Sequence, residues 1–483
     1  MDVVTLGMAK AFSKKGQAKA LGDNSLCLFG DSITDFYATI TTGSPTITYT
    51  QGVSFHRQMQ MFARNRFKIT AEYGVAGETV TQILARVGTV IADPARNVFY
   101  HGGINSITAD ASAASIIADN KAIWDALQNA GKRVIQPTIM NARQIVTASQ
   151  RQQYDKVNAW IMAEGPKRGI IVIPWHHLWS DPVDGRPHGP SQSPPWVTID
   201  GTHPSSYGAA LMGKFAADFL APLFPANGAQ LTYSNAETTN AITNGMMINT
   251  AGTGQLNAVA NSAVADGWKM TTSVSQVAAP SIVASTDGLG NWQRTQITAG
   301  TVNSGSCQLS YDAPITLAPA WQPNTAYSLN AVVTNGGTGY KATTAGTSAA
   351  SGGPSGQATS ITDGTAVWTP ATTWSVGDMV VARLEIDTDA DFVNVSKFEL
   401  DLTCLTGGFA TLATAQALKD TSATQDIYRM QVTNGVIETP AIAIPATTGI
   451  LQLKLIVAGL NGINGSTATY RVRRAGIHKV PTP

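Results

Sequence analysis

At Pro225-Ala-Asn-Gly228 the chain changes its period, and no single architecture accommodates both sides of that point. Upstream, from about residue 25, short apolar runs alternate with stretches whose apolar residues recur at helical spacing. The runs predict strands over 26–29, 68–73, 97–101, 133–136 and 169–174. Between them, Ile116, Ile117, Ile123, Trp124 and Leu127 share one face of a helix predicted over 111–130, with Gly131 as its stop. A second helix over 152–162 carries Tyr154, Val157, Trp160 and Ile161, and a last one begins near Pro204 with Tyr207, Leu211, Phe215 and Leu220. Strand–helix alternation of this kind predicts an α/β domain, a parallel sheet covered by helices on both faces.

Downstream, helical spacing largely disappears. Val/Ile/Leu/Thr segments over 377–386, 395–402, 450–457 and 467–473 are separated by Gly, Asn and Asp-Gly signals, which predicts an antiparallel β-sandwich. Only 412–418 reads as a short helix. Inside this region, Trp321-Gln-Pro-Asn-Thr-Ala-Tyr327, Tyr340 and Asp363-Gly-Thr-Ala-Val-Trp368 bracket a Gly/Ser/Ala/Thr-rich stretch. That pattern predicts either a small β module inserted in a sandwich loop or a long low-complexity loop with buried aromatics. The expected organisation is therefore an N-terminal segment (1–21), an α/β domain (22–226) and a β-sandwich (227–483) with an insertion at 319–374.

Composition narrows the function classes. Charged residues make up 13% of the 483, about half the usual share, and glycine is abundant at 45. A formal net charge of +1 gives no electrostatic case for nucleic acid or an anionic membrane as partner. Neutral, hydroxyl-rich surfaces suit neutral ligands such as sugars. Cys27 falls in a predicted buried strand, while Cys307 and Cys404 could pair or stay free. No metal-ligand spacing or cofactor motif occurs, and no apolar run reaches membrane-spanning length. Asp2 comes early and the lysines of the first twenty residues follow the apolar stretch, the reverse of a secretory signal. The expectation is a cytosolic start, or export by other means.

Chemistry concentrates at the ends of the predicted strands. The run Leu26-Cys-Leu-Phe29 stops at Gly30-Asp31-Ser32, where a glycine turn can lift a serine hydroxyl clear of its strand. A nucleophilic serine needs a base, an acid to orient that base, and donors for an oxyanion. Asp200 and His203 lie in one loop just before the last helix, spaced so that the carboxylate can take Nδ1–H while Nε2 faces a serine. Taken alone, Asp200 reads more readily as a helix cap and His203 as a surface loop residue. Gly77, in Val-Ala-Gly-Glu-Thr after the second strand, can offer a bare N–H, and Asn105, in Gly-Ile-Asn after the third, an amide N–H. Both have ordinary turn readings too. His101, Trp175 and His176 end strands on the same side and are candidates to line the substrate cleft, with packing as the alternative for the last two.

The ordered set of four sites resembles the SGNH/GDSL hydrolase family over about residues 22–225. Ser32 matches the nucleophile block, Gly77 the glycine block, Asn105 the asparagine block, and Asp200 with His203 the D-x-x-H block. The resemblance implies a three-layer α/β/α fold of flavodoxin-like type and ester hydrolysis through an acyl-enzyme without a metal or cofactor. It further implies an oxyanion hole from Ser32 N–H, Gly77 N–H and the Asn105 side chain. Ser106 stands where the family often has aspartate, which puts the local support of Asn105 in question.

Two weaker likenesses bear on substrate. Trp321, Tyr327, Tyr340 and Trp368 make 321–368 similar to small aromatic modules of phage tail proteins and to chitin-binding-type carbohydrate modules. The opening Asp2-Val-Val-Thr-Leu-Gly-Met-Ala-Lys-Ala resembles the start of some phage tail and tailspike proteins, and the sandwich is similar to jelly-roll carbohydrate-binding domains. Together they imply a tailspike-type deacetylase of a surface polysaccharide, placed on a virion or otherwise outside the cell. Expected partners are an acylated polysaccharide and, in a tail, further copies of the chain in a homotrimer or other tail components. The alternatives are a glycan-binding adhesin whose α/β domain is inactive, and a bacterial carbohydrate esterase acting on plant or host glycans.

Overall fold

Leu26 and Leu28 point into one hydrophobic core and Cys27 and Phe29 into another, so the first strand is buried on both faces. The computed structural model describes residues 22–480 except 36–39, 43–46, 50–53, 182–184, 190–195, 227–230, 238, 274–275, 300–304, 394, 420–428 and 461–464. In its first half the elements that concern the site are, in chain order, β1 (Ser25–Gly30), α1 (Ser32–Asp35), α2 (Phe55–Phe62), β2 (Lys68–Gly74), α3 (Val80–Ala85) and α4 (Val87–Ala92). There follow β3 (Asn97–His101), α5 (Ile104–Thr108), α6 (Ala113–Asn129), β4 (Arg133–Pro137), α7 (Ala148–Glu164), β5 (Ile171–Ile173) and α8 (Ser206–Leu220).

The five strands are parallel in the order β2-β1-β3-β4-β5. Side chains alternate across a strand, so a strand covered on both faces reads as one continuous apolar run. On one face, Leu26 and Leu28 join Phe55 and Met59 of α2 and Met212 and Leu220 of α8. On the other, Cys27 and Phe29 join Ile83 of α3, Ile123 and Trp124 of α6, and Val157 and Ile161 of α7. Trp124 stacks on Trp160 at 4.5 Å between ring centroids. This is an α/β domain with a parallel sheet, and its strand order reverses direction between β1 and β3, the place where such sheets open a crevice at their carboxyl ends.

Helix limits follow local capping chemistry. Ser112 accepts the Ser115 N–H at the start of α6, and Gly131, at φ +77°, takes the chain out after it. α7 starts four residues before the predicted 152 because Thr147 and Gln150 form a capping box ahead of it. α8 begins after Ser205, whose hydroxyl accepts the Gly208 N–H, so the helix starts close to Pro204, which lies just ahead of the cap.

Downstream, the chain is largely β and antiparallel. One sheet orders Thr411–Ala417, Val395–Thr406, Thr448–Leu460, Ser306–Pro314, Trp268–Thr272, Gln255–Leu256 and Val259–Ala260, with a single parallel pair between Trp268–Thr272 and Gln255–Leu256. The second orders Gln276–Ala284, Asn291–Ala299, Thr467–Lys479, Met379–Thr388 and Gly435–Glu438, with Ile442–Ala443 beside Met379–Thr388. Leu400, Leu402, Leu453 and Leu455 of the first sheet share a core with Ile297, Leu384, Tyr470 and Val472 of the second. The helix expected at 412–418 is instead the strand Thr411–Ala417, paired with Val395–Thr406 at the sheet edge. Alanine is the strongest helix former, but intrinsic propensity is a small term that the ladder with Val395–Thr406 overrides.

Residues 321–370 form a module with its own four-stranded sheet, Val332–Asn335, Thr338–Thr344, Ala366–Pro370 and Ile361–Asp363. Its core is Val333, Tyr340, Ala342, Ala366 and Trp368. Tyr340 is 2% exposed and Trp368 is fully buried, so neither offers a stacking face for a sugar. Both fill a core too small to close without them. Trp321 and Tyr327 are half-buried at its edge; the Trp321 indole donates to Asp363 Oδ2 at 2.7 Å, and the Tyr327 ring meets the Trp368 ring edge-on at 4.9 Å.

The halves touch at a charged contact: Arg64, after α2, lies 2.9 Å from Glu385, a buried carboxylate that also takes Arg473 Nε at 2.9 Å. Cys27, Cys307 and Cys404 are free and buried. Cys307 lies opposite Val457 and Cys404 opposite Leu451, so about six residues of strand, roughly 20 Å, separate them along the central strand, far beyond a disulfide's reach. Among the described residues no helix is long and apolar enough to cross a membrane, and no group of three metal-ligating side chains assembles.

Two outcomes follow from these cores. Leu28→Ala should cost about 2–5 kcal/mol of stability, read from urea unfolding followed by tryptophan fluorescence. Denatured without reductant, the chain should titrate with thiol reagent at all three cysteines; a missing pair would contradict the placement of Cys307 and Cys404.

Candidate active site

Gly30 faces Gly74 on β2 and His101 on β3, so the three strands end level. Gly30 has to be glycine: a Cβ there would sit 2.1 Å from the His101 carbonyl oxygen. Asp31 then turns the chain, its Oδ1 accepting the Ile33 N–H at 3.1 Å, and Ser32 opens α1 with only 6% of its surface exposed. Ser32 Oγ lies 2.9 Å from His203 Nε2. His203 Nδ1 lies 2.6 Å from Asp200 Oδ2. With Nδ1–H donating to the carboxylate, Nε2 is left as an acceptor for the serine hydroxyl.

The loop that carries the acid and the base is held by its own backbone. Asp200 Oδ1 accepts the N–H groups of Thr202 at 2.9 Å and His203 at 2.8 Å. Arg143, beyond β4, donates its N–H to the Gly201 carbonyl at 2.8 Å, and Ile199 donates to the His203 carbonyl at 3.0 Å. Burial pushes the Asp200 carboxyl up, but its hydrogen bond and charge interaction with His203 and the two backbone donors outweigh this and hold it at about 2.

Gly77 and Asn105 follow the carboxyl ends of β2 and β3, flanking Ser32 after β1. Gly77 has φ +79°, a conformation that glycine adopts without strain, and its surface is exposed. Asn105 Nδ2 donates one hydrogen to the Glu78 carbonyl at 2.9 Å, which leaves the second for another acceptor. Ser106, the departure from aspartate, is no gap: its Oγ accepts the Val80 N–H at 2.9 Å and ties the asparagine segment to the start of α3.

The other expected cleft residues fare differently. His101 is 1% exposed and packs against Phe55 and Trp175 behind the nucleophile's strand, so it does not line a cleft. Trp175 is fully buried among Phe55 and Phe99, with its indole N–H on the Thr138 carbonyl, and belongs to the core beneath the sheet. His176 is half-buried and bound through N and Nδ1 to Thr138 Oγ1. Burial, then the neighbouring His177, holds its ring below the ordinary histidine range. Strand-end position alone had suggested all three; which face each side chain takes depends on tertiary packing. A separate cavity of about 730 Å³ lies at the amino ends of β1 and β2, against Arg383 and Glu438 of the sandwich, away from Ser32.

With this geometry established, residues 28–211 match the model of the GDSL-like lipase/acylhydrolase family, and that stretch of the chain is a GDSL/SGNH acylhydrolase domain. The family implies an esterase-type hydrolase. Similar solved structures include a member of the lipolytic G-D-S-L family from Veillonella parvula, 21% identical, covering 40% of this chain and 96% of its own, with a TM-score of 0.32. Another is a GDSL-like lipase from Bacteroides thetaiotaomicron, 18% identical, covering 44% of this chain and 96% of its own, with a TM-score of 0.31. No curated protein matches the chain.

Because the folded carboxyl of Asp200 lies below its unfolded value, its pairing stabilises the fold above the unfolded pKa and is lost as pH falls toward 2. Asp200→Asn should therefore be less stable than wild type at neutral pH, with the gap closing between about pH 4 and 2 in unfolding curves at stepped pH.

Proposed function

We propose that this protein is a serine esterase that removes small acyl groups, acetyl foremost, from a surface polysaccharide. The observation that carries the catalytic part is the continuous chain Ser32 Oγ–His203 Nε2 and His203 Nδ1–Asp200 Oδ2, at 2.9 and 2.6 Å. His203 takes the Ser32 proton as Oγ bonds to the ester carbonyl carbon. The oxyanion is received by the N–H groups of Ser32 and Gly77 and the free amide hydrogen of Asn105. The bond to the alkoxy group then breaks, and His203 returns its proton to the leaving alcohol. Water repeats the sequence on the acyl-enzyme, releasing the carboxylic acid and restoring Ser32. Asp200, kept ionised, holds the imidazole in the required tautomer throughout.

The polysaccharide reading is supported by the low charge of the whole chain and by the large β portion joined to the hydrolase domain. Trp321 and Tyr327 remain the aromatic faces of the inserted module available to a sugar, since Tyr340 and Trp368 are interior. A phage or prophage tail is the setting we attach to this reading, on the likeness of residues 2–11 and 321–368 to tail proteins; in that setting the chain would associate with copies of itself or with other tail components.

The test is acetate release from a panel of acetylated bacterial polysaccharides and acetylated xylan, wild type against Ser32→Ala. The variant should fold and release none, and full activity in it overturns the nucleophile assignment. Asn105→Ala should lower kcat on p-nitrophenyl acetate on the order of a hundredfold or more, since losing one oxyanion donor costs about 2.7–4 kcal/mol.

A further inference from the structure

Arg86 ends α3 and contacts three separate segments at once. Its Nη2 donates to the Gly30 carbonyl at 2.7 Å, its Nη1 to the Tyr73 carbonyl at 2.7 Å, and its Nε to Glu78 Oε2 at 2.6 Å. Gly30 lies two residues before Ser32, Tyr73 is near the end of β2, and Glu78 is the residue after Gly77. Glu78 is in turn gripped from its other side, where its carbonyl accepts the Asn105 amide at 2.9 Å. The guanidinium also lies over the Phe29 ring, 4.9 Å from its centroid, and is only one-fifth exposed. One planar cation therefore joins the strand that delivers the nucleophile to the turn that delivers Gly77, and through Glu78 to Asn105.

We propose that Arg86 is a positioning residue for the esterase reaction, setting the Gly77 N–H and the Asn105 amide at a fixed offset from Ser32. The proposal rests on the catalytic reading above. The Gly30 carbonyl already accepts the Val75 N–H at 3.0 Å, but a carbonyl oxygen has two lone pairs, and a fork of N–H groups in one plane can add a second bond there, reach the Tyr73 carbonyl and pair a carboxylate at once. A lysine at this position keeps the charge but, as a single point donor, cannot span three acceptors. Donors aimed at a developing oxyanion act through placement, so a shift of the Gly77 turn relative to Ser32 weakens the transition state and leaves ground-state binding alone.

The experiment uses the full chain on p-nitrophenyl acetate, with rates expressed per active site titrated by a fluorophosphonate and with Tm measured alongside. Arg86→Ala and Arg86→Lys should both lower kcat, by about a hundredfold for alanine if the turn moves by about 1 Å, with KM nearly unchanged. Added guanidinium ion, well below the unfolding transition, should restore part of kcat in Arg86→Ala. Glu78→Gln, which keeps the shape of the turn and weakens the grip, should fall between wild type and Arg86→Ala. The proposal is overturned if either Arg86 variant keeps kcat within about twofold of wild type per titrated site, or if the loss appears in KM or Tm alone. Wild type that is inactive, or that is active independently of Ser32, removes the catalytic reading and this proposal with it. Activity that needs Ser32 but ignores Arg86 removes the proposal alone.

Discussion

Burial on both faces of β1 is the constraint from which the site descends. Leu26 and Leu28 are committed to the α2 and α8 side, Cys27 and Phe29 to the α3, α6 and α7 side. A slip by one residue would exchange the two sets, so the register is locked. Because Gly30 has no side chain, β1 and β3 can close up where they end, and Ser32 emerges two residues later at a defined height. The register of Gly30 with Gly74 and His101 sets the other two loops at that same height. The geometry of three loops is thus a consequence of how one six-residue strand is packed.

Much of this was legible in the residues. The apolar runs named the five strands to within a few positions, because a strand buried on both faces leaves a continuous signal. The residues at the strand ends and before α8 could be read because the chemistry of a nucleophile, base and acid restricts which residue types serve. The Asp200-Gly-Thr-His203 spacing suffices for its hydrogen bonds without help from the rest of the fold. What failed to show were features created by packing across sequence distance. The burial of Trp175 and His101 depends on Phe55, far upstream, and Tyr340 and Trp368 are interior because a small sheet closes over them. Thr411–Ala417 is a strand because of its neighbour Val395–Thr406, which local alanine content cannot reveal. The capping box of Thr147 and Gln150, by contrast, was present as a local signal and lengthens α7 beyond its periodic core.

A chain with so few charges places several of them where a polar group must be held without water. Glu385 sits nearly inaccessible between the halves with Arg473 and Arg64 around it, and Arg473 is itself covered by the Trp292 ring at 4.2 Å. Removing one member of such a group leaves the rest uncompensated, which costs more than the group contributes to stability when intact. The contact therefore serves to define how the two halves meet more than to bind them tightly. The Ser106 hydroxyl does comparable work on a smaller scale, carrying a charge-free tie between α3 and α5, the short helix that holds Asn105.

The acid and the base come from one turn, three residues apart, while the serine is 171 residues away from the histidine in sequence. The turn closes on itself through the Asp200 carboxylate and the N–H groups of Thr202 and His203, so it forms a small preassembled unit. Aligning the three groups is then a problem of two bodies and not of three. The placement of that turn against the end of β1 remains for the fold to keep, and Arg143, in the segment after β4, holds the turn through the Gly201 carbonyl. A displacement of the turn as a whole alters how the imidazole meets Ser32 but leaves its orientation toward its own carboxylate intact.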